Sequence, residues 1–478
     1  MATTLDCEIL IIGSGPGGAT AAALLAEAGR DVLVVEEGEH HTIDSAISYT
    51  REELDQKYRN GGLNTTLGQT AVTYIEGRCV GGGSEINAAL YHRPKPSMLR
   101  EWQLKYQLDD FDPDDLEPYF VDTERDLSVS TRPDGLAPSS DRLEAGAEAL
   151  GWASTEIPRC WKYAQRDDGS WSGRRQSMTE TMVPRALAAG CRLAPNTRVL
   201  RLKMKAGRAV SAEARRGRER VTIRFQRVLV CAGAVQTPLI LRRSGIRERI
   251  GDSLKLHPMI RIVARFRDEI NDPTWGVPVR QVSEFKPHLT LGCSHSSIPH
   301  LSMWMGAGQL PQERLLRDWK HLAIFYVAAI GQGQGQIRNL PAFNQPLIRY
   351  NLNDSDLALM GEGLYRLGQL LFTAGASELY SPIEGDTAPI SALSGLDGIR
   401  SGLPHGKLSV STIHLFSSCP MGEDRRTCAV DSYGRMHSHE NIYVFDASML
   451  PASPGVNPQG TLMALVRRNT QRLLADLT

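Results

Sequence analysis

Two runs with no polar position, Ile9–Ile12 and Val32–Val35, bracket a glycine-rich turn and an alanine-rich stretch in CEILIIGSGPGGATAAALLAEAGRDVLVVEEG. Unbroken apolar runs of this length predict buried parallel strands, and the alanine-rich stretch predicts a helix, so the segment reads as a βαβ unit whose second strand ends at Glu36. Residues 40–75 are polar and irregular apart from the helical REELDQKY, which suits a flap over a bound ligand. GRCVGGGSEINAALYHRP follows, a second glycine-rich segment flanked by helix-compatible sequence. Residues 106–184 are rich in Asp, Pro, Arg and Trp and lack strand alternation. Short β runs then recur from CRLAPNTRVLRLKMK through RVTIRFQRVLVCAGA, and VQTPLILRRSGI opens a helix. Alternation in MIRIVARF and HLSMWMGAG predicts an antiparallel sheet separate from the parallel one, and DLALMGEGLYRLGQLLFTAGA predicts a helix pair. The C-terminal part returns to the pattern of the N-terminal unit, with the strand-like NIYVFDAS, the breaker-rich PGVNPQGT, and a helix from about Thr461.

At 478 residues the chain exceeds what one hydrophobic core usually fills, so two interleaved domains are expected. Apolar residues make up 41%, charged residues 23%, and the formal net charge is zero, which argues against a nucleic-acid or polybasic membrane-surface partner. The eight cysteines form no CxxC pair and are expected to be reduced and mostly buried. The N-terminal residues lack a basic n-region and an apolar h-region, and no apolar run reaches the roughly 18 residues of a membrane span. A cytoplasmic protein is expected. There is no HExxH, GxSxG or Walker lysine, and no metal site is anticipated.

Gly13, Gly15 and Gly18 form GxGxxG after a strand and before a helix, with Glu36 eighteen residues beyond Gly18. Gly13 permits the tight turn, Gly15 lets backbone approach a pyrophosphate, Gly18 allows close helix–strand packing, and Glu36 accepts from a ribose hydroxyl. A bare glycine turn and a solvated Glu36 are the alternative. The unit does not separate FAD from NAD. Gly81, Gly82 and Gly83 remove side chains where a flat ligand could lie against backbone, and Asn87 can offer it an amide; a tight turn would use the same glycines.

These motifs resemble the glucose–methanol–choline (GMC) family of FAD-dependent alcohol oxidoreductases. VEEG resembles that family's ribose-binding strand end, GRCVGGGSEINAALYHRP with Glu101 and Trp102 its second glycine-rich segment, CAGAVQTPLILRRSG its third motif, and NTRV the strand whose Val199 backbone meets adenine. The resemblance implies an α/β fold: a discontinuous Rossmann-type FAD domain (1–105, 185–259, 405–478) and an α+β substrate domain on an antiparallel sheet (106–184, 260–404). It implies FAD contacts from Gly13, Gly15, Gly17, Gly18, Glu36, Glu37, Arg78, Gly82, Gly83, Ser84, Asn87, Val199, Ala232, Gly233, Asp446, Ala447, Asn457, Pro458 and Gln459. FAD is expected to be noncovalent, with Cys79, His92 and Cys231 as packing residues and His257 in LHP as mainly structural.

His414 in STIHLFSSCPMGED could be a satisfied structural histidine, and Asn457 could be a helix N-cap. In the family's pattern they are the catalytic pair; Cys419, Met421 and Gly422 match its segment, while Phe416, Ser417 and Pro420 depart. Alcohol oxidation removes a hydroxyl proton and passes a hydride to flavin N5, so an imidazole base and an orienting amide suit it. The helix after Asn457 would turn its free N–H groups toward the flavin's N1–C2=O edge, and Asp446 would approach the ribityl or pyrophosphate region. His437 and His439 are placed in a surface turn. The implied substrate is a small alcohol, with polar sugar-like or aminocyclitol-like alcohols favoured; a long-chain alcohol oxidase, a GMC-type lyase and a noncatalytic flavin binder remain open. The sequence does not identify the electron acceptor.

Overall fold

The computed structural model describes residues 2–272, 275–305, 309–340 and 345–477. Five parallel strands form the first sheet, in the order Arg192–Ala194, Val32–Val35, Ile9–Ile12, Arg227–Val230, Ile442–Val444. Ile9–Ile12 and Val32–Val35 are buried at every position, as a strand covered on both faces requires. The helix Pro16–Glu27 lies against this sheet through its small residues: a Cβ added to Gly17 would fall 1.8 Å from the Phe445 carbonyl oxygen. A neighbouring sheet joins Thr197–Lys205, Arg208–Arg216 and Glu219–Arg224 in an antiparallel meander, with Ala2–Asp6 pairing parallel to the last.

The second large sheet is mostly antiparallel and centres on Met259–Arg265, Leu322–Ala329 and Leu289–Ser294. Its period-two alternation sorts side chains cleanly. Ile260, Ile262, Phe325, Val327 and Leu291 join a core with the helix Asp354–Thr373 on one face, while Met259, Arg261, Tyr326 and Thr290 point to a cavity on the other. That helix is one continuous element rather than a pair. Asn353 and Asp356 close a capping box at its start, and its glycines serve close packing, Gly363 lying against Val327 and Leu289.

Three further expectations change. HLSMWM is not a strand: Ile298–Trp304 is helical, because Pro299 stands in the first turn after an extended Ser297, and residues 306–308 fall outside the described residues. Residues 106–184 do contain strands, among them the hairpin Arg159–Gln165 and Trp171–Arg175, buried at its base and exposed toward its turn. The two cores also apportion the chain differently from the expected boundaries. Leu108, Phe111, Leu116, Phe120 and Met178 pack with the parallel sheet, chiefly because the helix Pro113–Asp126 lies on the C-terminal helix Gln459–Ala475. Val72, Tyr74 and Val410 instead belong to the second core, since Val72–Tyr74 and Val410–Thr412 are strands of its sheet.

All eight cysteines are free and buried. Among the described residues no helix is long and apolar enough to cross a membrane, and no group of metal-ligating side chains assembles.

Candidate active site

A cavity of about 350 Å³ runs from the carboxyl ends of the parallel strands to the open face of the second sheet. At one end, Glu36 Oε2 accepts from the Ser14 N–H at 3.0 Å and the Ser14 hydroxyl at 2.8 Å, and Oε1 accepts from the Gly38 N–H at 2.9 Å. Burial pushes this carboxyl up against those hydrogen bonds. Ser14 Oγ also accepts from the Gly81 N–H, so one serine ties the first glycine turn, the second glycine segment and the strand-end glutamate together. Burial would raise the neighbouring Glu37 as well, but Arg59, Arg198 and Arg78 surround it and hold it below the ordinary carboxylate range.

Two helix starts border the cavity without a side-chain cap: Pro16–Glu27 after Gly15, and Gln459–Ala475 after Pro458. The second begins two residues before the expected Thr461. Asp446, beside Gly17 of the first helix, accepts from the Gly233 and Ser448 N–H groups at 2.9 and 2.8 Å and from the Thr237 and Ser448 hydroxyls. Burial dominates and raises the Asp446 carboxyl.

At the far end the rim carries His414 and Asn457, both partly exposed to the cavity. His414 Nδ1 lies 3.2 Å from Nδ1 of His257, and His257 Nε2 lies 3.1 Å from Ser453 Oγ, which also accepts from the Gly455 N–H at 3.2 Å. Burial, then the neighbouring His257 and His92, hold the His414 imidazole well below the ordinary histidine range. Burial alone lowers His257 to about 4. The Asn457 side chain has no hydrogen-bond partner among the described residues, in contrast to an N-cap, and the helix after it is uncapped.

Of the expected cofactor contacts, Gly13, Gly15, Gly17, Glu36, Glu37, Gly82, Gly83, Asn87, Val199, Ala232, Gly233, Asp446, Ala447, Asn457, Pro458 and Gln459 line the cavity. Three do not. Gly18 packs on the Gly13 carbonyl, Arg78 turns to Glu37, and the Ser84 hydroxyl donates to the Gly81 carbonyl while accepting from the Met178 N–H. The amide of Asn87 is already engaged: Nδ2 donates to Gln459 at 2.6 Å and Oδ1 accepts from the Ala89 N–H at 2.9 Å.

His257 and His92, expected as structural and packing residues, both line the cavity. His257 is the partner of His414, and His92 lines the cavity with Nε2 on Gln281 Oε1 at 3.0 Å, held at about 3 chiefly by burial. Cys231 also lines it, whereas Cys79 is buried with its thiol on the Gly82 carbonyl. Arg59, Arg198, Arg261, Gln281, Lys286 and Tyr326 are cavity residues that no motif flagged; only Arg261 had a signal, as a charged residue at the third position of an alternating run. In the segment expected as a flap, Tyr49 stacks on His295 at 4.3 Å, fastening it to the second sheet's side.

Family models described as GMC oxidoreductase match residues 54–259 and 332–465, and a Rossmann-like NAD(P)-binding model matches 11–61. The chain is 38% identical to an uncharacterised GMC-type oxidoreductase of Sinorhizobium fredii, over 98% of this chain and 95% of that one. It is 28% identical to a long-chain-alcohol oxidase of Arabidopsis thaliana, over 96% of this chain and 67% of the relative. Among solved structures it resembles pyridoxine 4-oxidase from Mesorbium loti, with a TM-score of 0.77, 18% identity, and coverage of 98% of this chain and 99% of that one.

Proposed function

Since the chain belongs to the GMC family of FAD-dependent oxidoreductases, we propose that it oxidises the CH–OH group of a small polar alcohol to a carbonyl, with His414 as proton acceptor and Asn457 as orienting donor. The observation that carries this reading is the 3.2 Å contact between the Nδ1 atoms of His414 and His257, which leaves Nε2 as the His414 nitrogen available to a ligand in the cavity.

The residues fit FAD. A Cβ at Gly83 would meet no protein atom within 4 Å, so this cavity-lining glycine leaves room that the fold itself does not fill. The uncapped start of Pro16–Glu27 suits a pyrophosphate, Glu36 retains lone pairs for a ribose hydroxyl, and the uncapped start of Gln459–Ala475 suits an electron-rich ring edge. Bound FAD supplies the acceptor for the hydride that leaves the carbinol carbon.

Two facing Nδ1 atoms need one proton between them. When His257 carries its proton on Nε2 and donates to Ser453, its Nδ1 accepts from His414 Nδ1–H, and His414 Nε2 holds a free lone pair. When Ser453 donates to His257 Nε2, the order reverses and His414 Nε2 is protonated. The first arrangement is the one that accepts a hydroxyl proton. After the transfer, His414 Nδ1–H still faces a neutral acceptor in His257, so the imidazolium remains hydrogen-bonded. The unpartnered Asn457 amide is then available to donate to the substrate oxygen as negative charge develops there.

Gln281, Tyr326, Thr290 and Ser294 place polar groups on the sheet face of a lining that is otherwise largely apolar, and they support a polar alcohol. The reading is tested by mixing oxidised holoenzyme anaerobically with sugars, polyols, hydroxy acids and fatty alcohols. Bleaching of the flavin absorbance by a polar member supports it; turnover without bleaching would assign a lyase instead.

A further inference from the structure

Met259 and Arg261 stand on the second sheet's strand Met259–Arg265, His257 lies two residues before it, and all three line the cavity. Arg261 is 7% exposed. One of its N–H groups donates to the Ser411 hydroxyl, its plane lies 4.2 Å over the Trp304 ring, and Nε has no partner. Among the described residues it forms no ion pair, and burial lowers it to about 10, which still leaves it charged at neutral pH. Lys286 stands in the same part of the cavity, also without a carboxylate among the described residues, its Nζ donating to Gln281 Oε1 at 3.5 Å. The acidic residues that line the cavity are Glu36, Glu37, Glu76 and Asp446, all toward the dinucleotide end, where Glu37 and Glu76 are paired with Arg59.

A guanidinium buried without a counter-ion is costly, and stacking on an indole offsets only part of that cost. Of the arginines at the other end, Arg59 and Arg198 both face Glu37 and Arg243 donates to the Leu200 carbonyl. At the substrate end the missing partner is one that a ligand would bring. We propose that the substrate is an anionic alcohol, whose carboxylate or phosphate ester is bound by Arg261 and Lys286 while its carbinol lies at His414 and Asn457. This rests on the alcohol-oxidising reading of the same cavity. Arg261 is four residues beyond His257, a backbone separation of at most roughly 14 Å, so the charged group and the reacting carbon can be joined by several bonds of one small molecule. A cationic amino sugar, one of the alcohols the sequence favours, would have to lie against both cations and is disfavoured.

The test is an equilibrium titration of oxidised holoenzyme, followed by perturbation of the flavin spectrum, with ligands that lack a carbinol. para-Toluate and hexanoate are each compared with their primary amides, and para-cresyl phosphate with para-toluate. At least one acid is expected to bind about tenfold or more tightly than its amide, in keeping with a charge-assisted contact in a shielded site. Arg261→Met should abolish that preference, and Arg261→Lys and Lys286→Met should weaken it, with the FAD content of each variant reporting its fold. Should Arg261→Met lose FAD, the wild-type comparison and Arg261→Lys decide. Tighter binding of the phosphate would identify a phosphate ester, and of toluate a carboxylate. Equal binding of both acids and their amides, or a folded Arg261→Met variant that keeps the preference, would overturn the proposal. Alcohol oxidation fails separately: the acids would bind with their preference intact, yet no alcohol of any charge would bleach the flavin.

Discussion

Nδ1 of His414 and Nδ1 of His257 face each other at 3.2 Å, and the far nitrogen of His257 rests on Ser453. A base held in this way depends on its partner for both tautomer and ring orientation. Replacing His257 by Phe should lower kcat by about tenfold or more, the usual scale for a positioned proton acceptor losing its alignment, with a smaller change in KM. The pH profile of kcat should move in the same variant. Ser453→Ala should give a milder version, and an unchanged pH profile in both would show that the pair is only packed together.

Burial of neutral imidazoles also ties stability to pH. His257 is held at about 4 and His92 at about 3, each chiefly by burial, against an ordinary value near 6.5. The folded values are depressed, so the unfolded chain binds more protons below about 6.5 and stability falls as pH drops from there toward 4. The His257 contribution lost over that window is about 3 kcal/mol at most. Thermal unfolding followed across this range should show a falling Tm, with a shallower slope in His257→Phe.

Asn457 separates function from folding. Because its side chain has no hydrogen-bond partner among the described residues, Asn457→Ala should change unfolding free energy by less than about 1 kcal/mol, as for a residue outside any buried network. Loss of an oxyanion donor in a closed site costs on the order of a hundredfold in kcat. Measuring both in one variant checks the assignment; a large stability loss with intact kcat would mark Asn457 as structural.

Gly83 makes a parallel case for the cofactor. A methyl group there meets nothing in the protein, so Gly83→Ala should fold normally and lose FAD affinity by about tenfold or more where the added carbon enters the ligand's space. Gly17→Ala, which would drive a carbon into the Phe445 carbonyl, should instead destabilise the whole domain. FAD titration and denaturant unfolding of the two variants distinguish the roles.

The first domain was legible in the sequence because its signals are local: two unbroken apolar runs, glycines at fixed offsets and Glu36 at a strand end all lie within one short segment. His414, Asp446 and Asn457 were singled out by the family resemblance, and all three line the cavity. What escaped depends on contacts between distant segments. His257 meets His414 only because the short strands Lys255–Leu256 and Leu415–Phe416 pair in an antiparallel ladder, and nothing near His257 in sequence announces this. Arg261 and Lys286 are brought to one cavity by different parts of the second sheet's segment, and their lack of a counter-ion among the described residues is visible only in three dimensions. The helix Ile298–Trp304 and the unbroken helix Asp354–Thr373 were misread for a complementary reason: a proline in the first turn and glycines in close packing carry more weight there than apolar period.

The central claim is that His414 accepts the substrate's hydroxyl proton as the flavin takes the hydride. It is tested most directly by anaerobic stopped-flow reduction of wild type and His414→Gln with the best alcohol from the screen, FAD content being matched. The account predicts a bleaching rate lower by about a hundredfold or more in the variant, with FAD still bound. Flavin reduction at the wild-type rate in His414→Gln would contradict it.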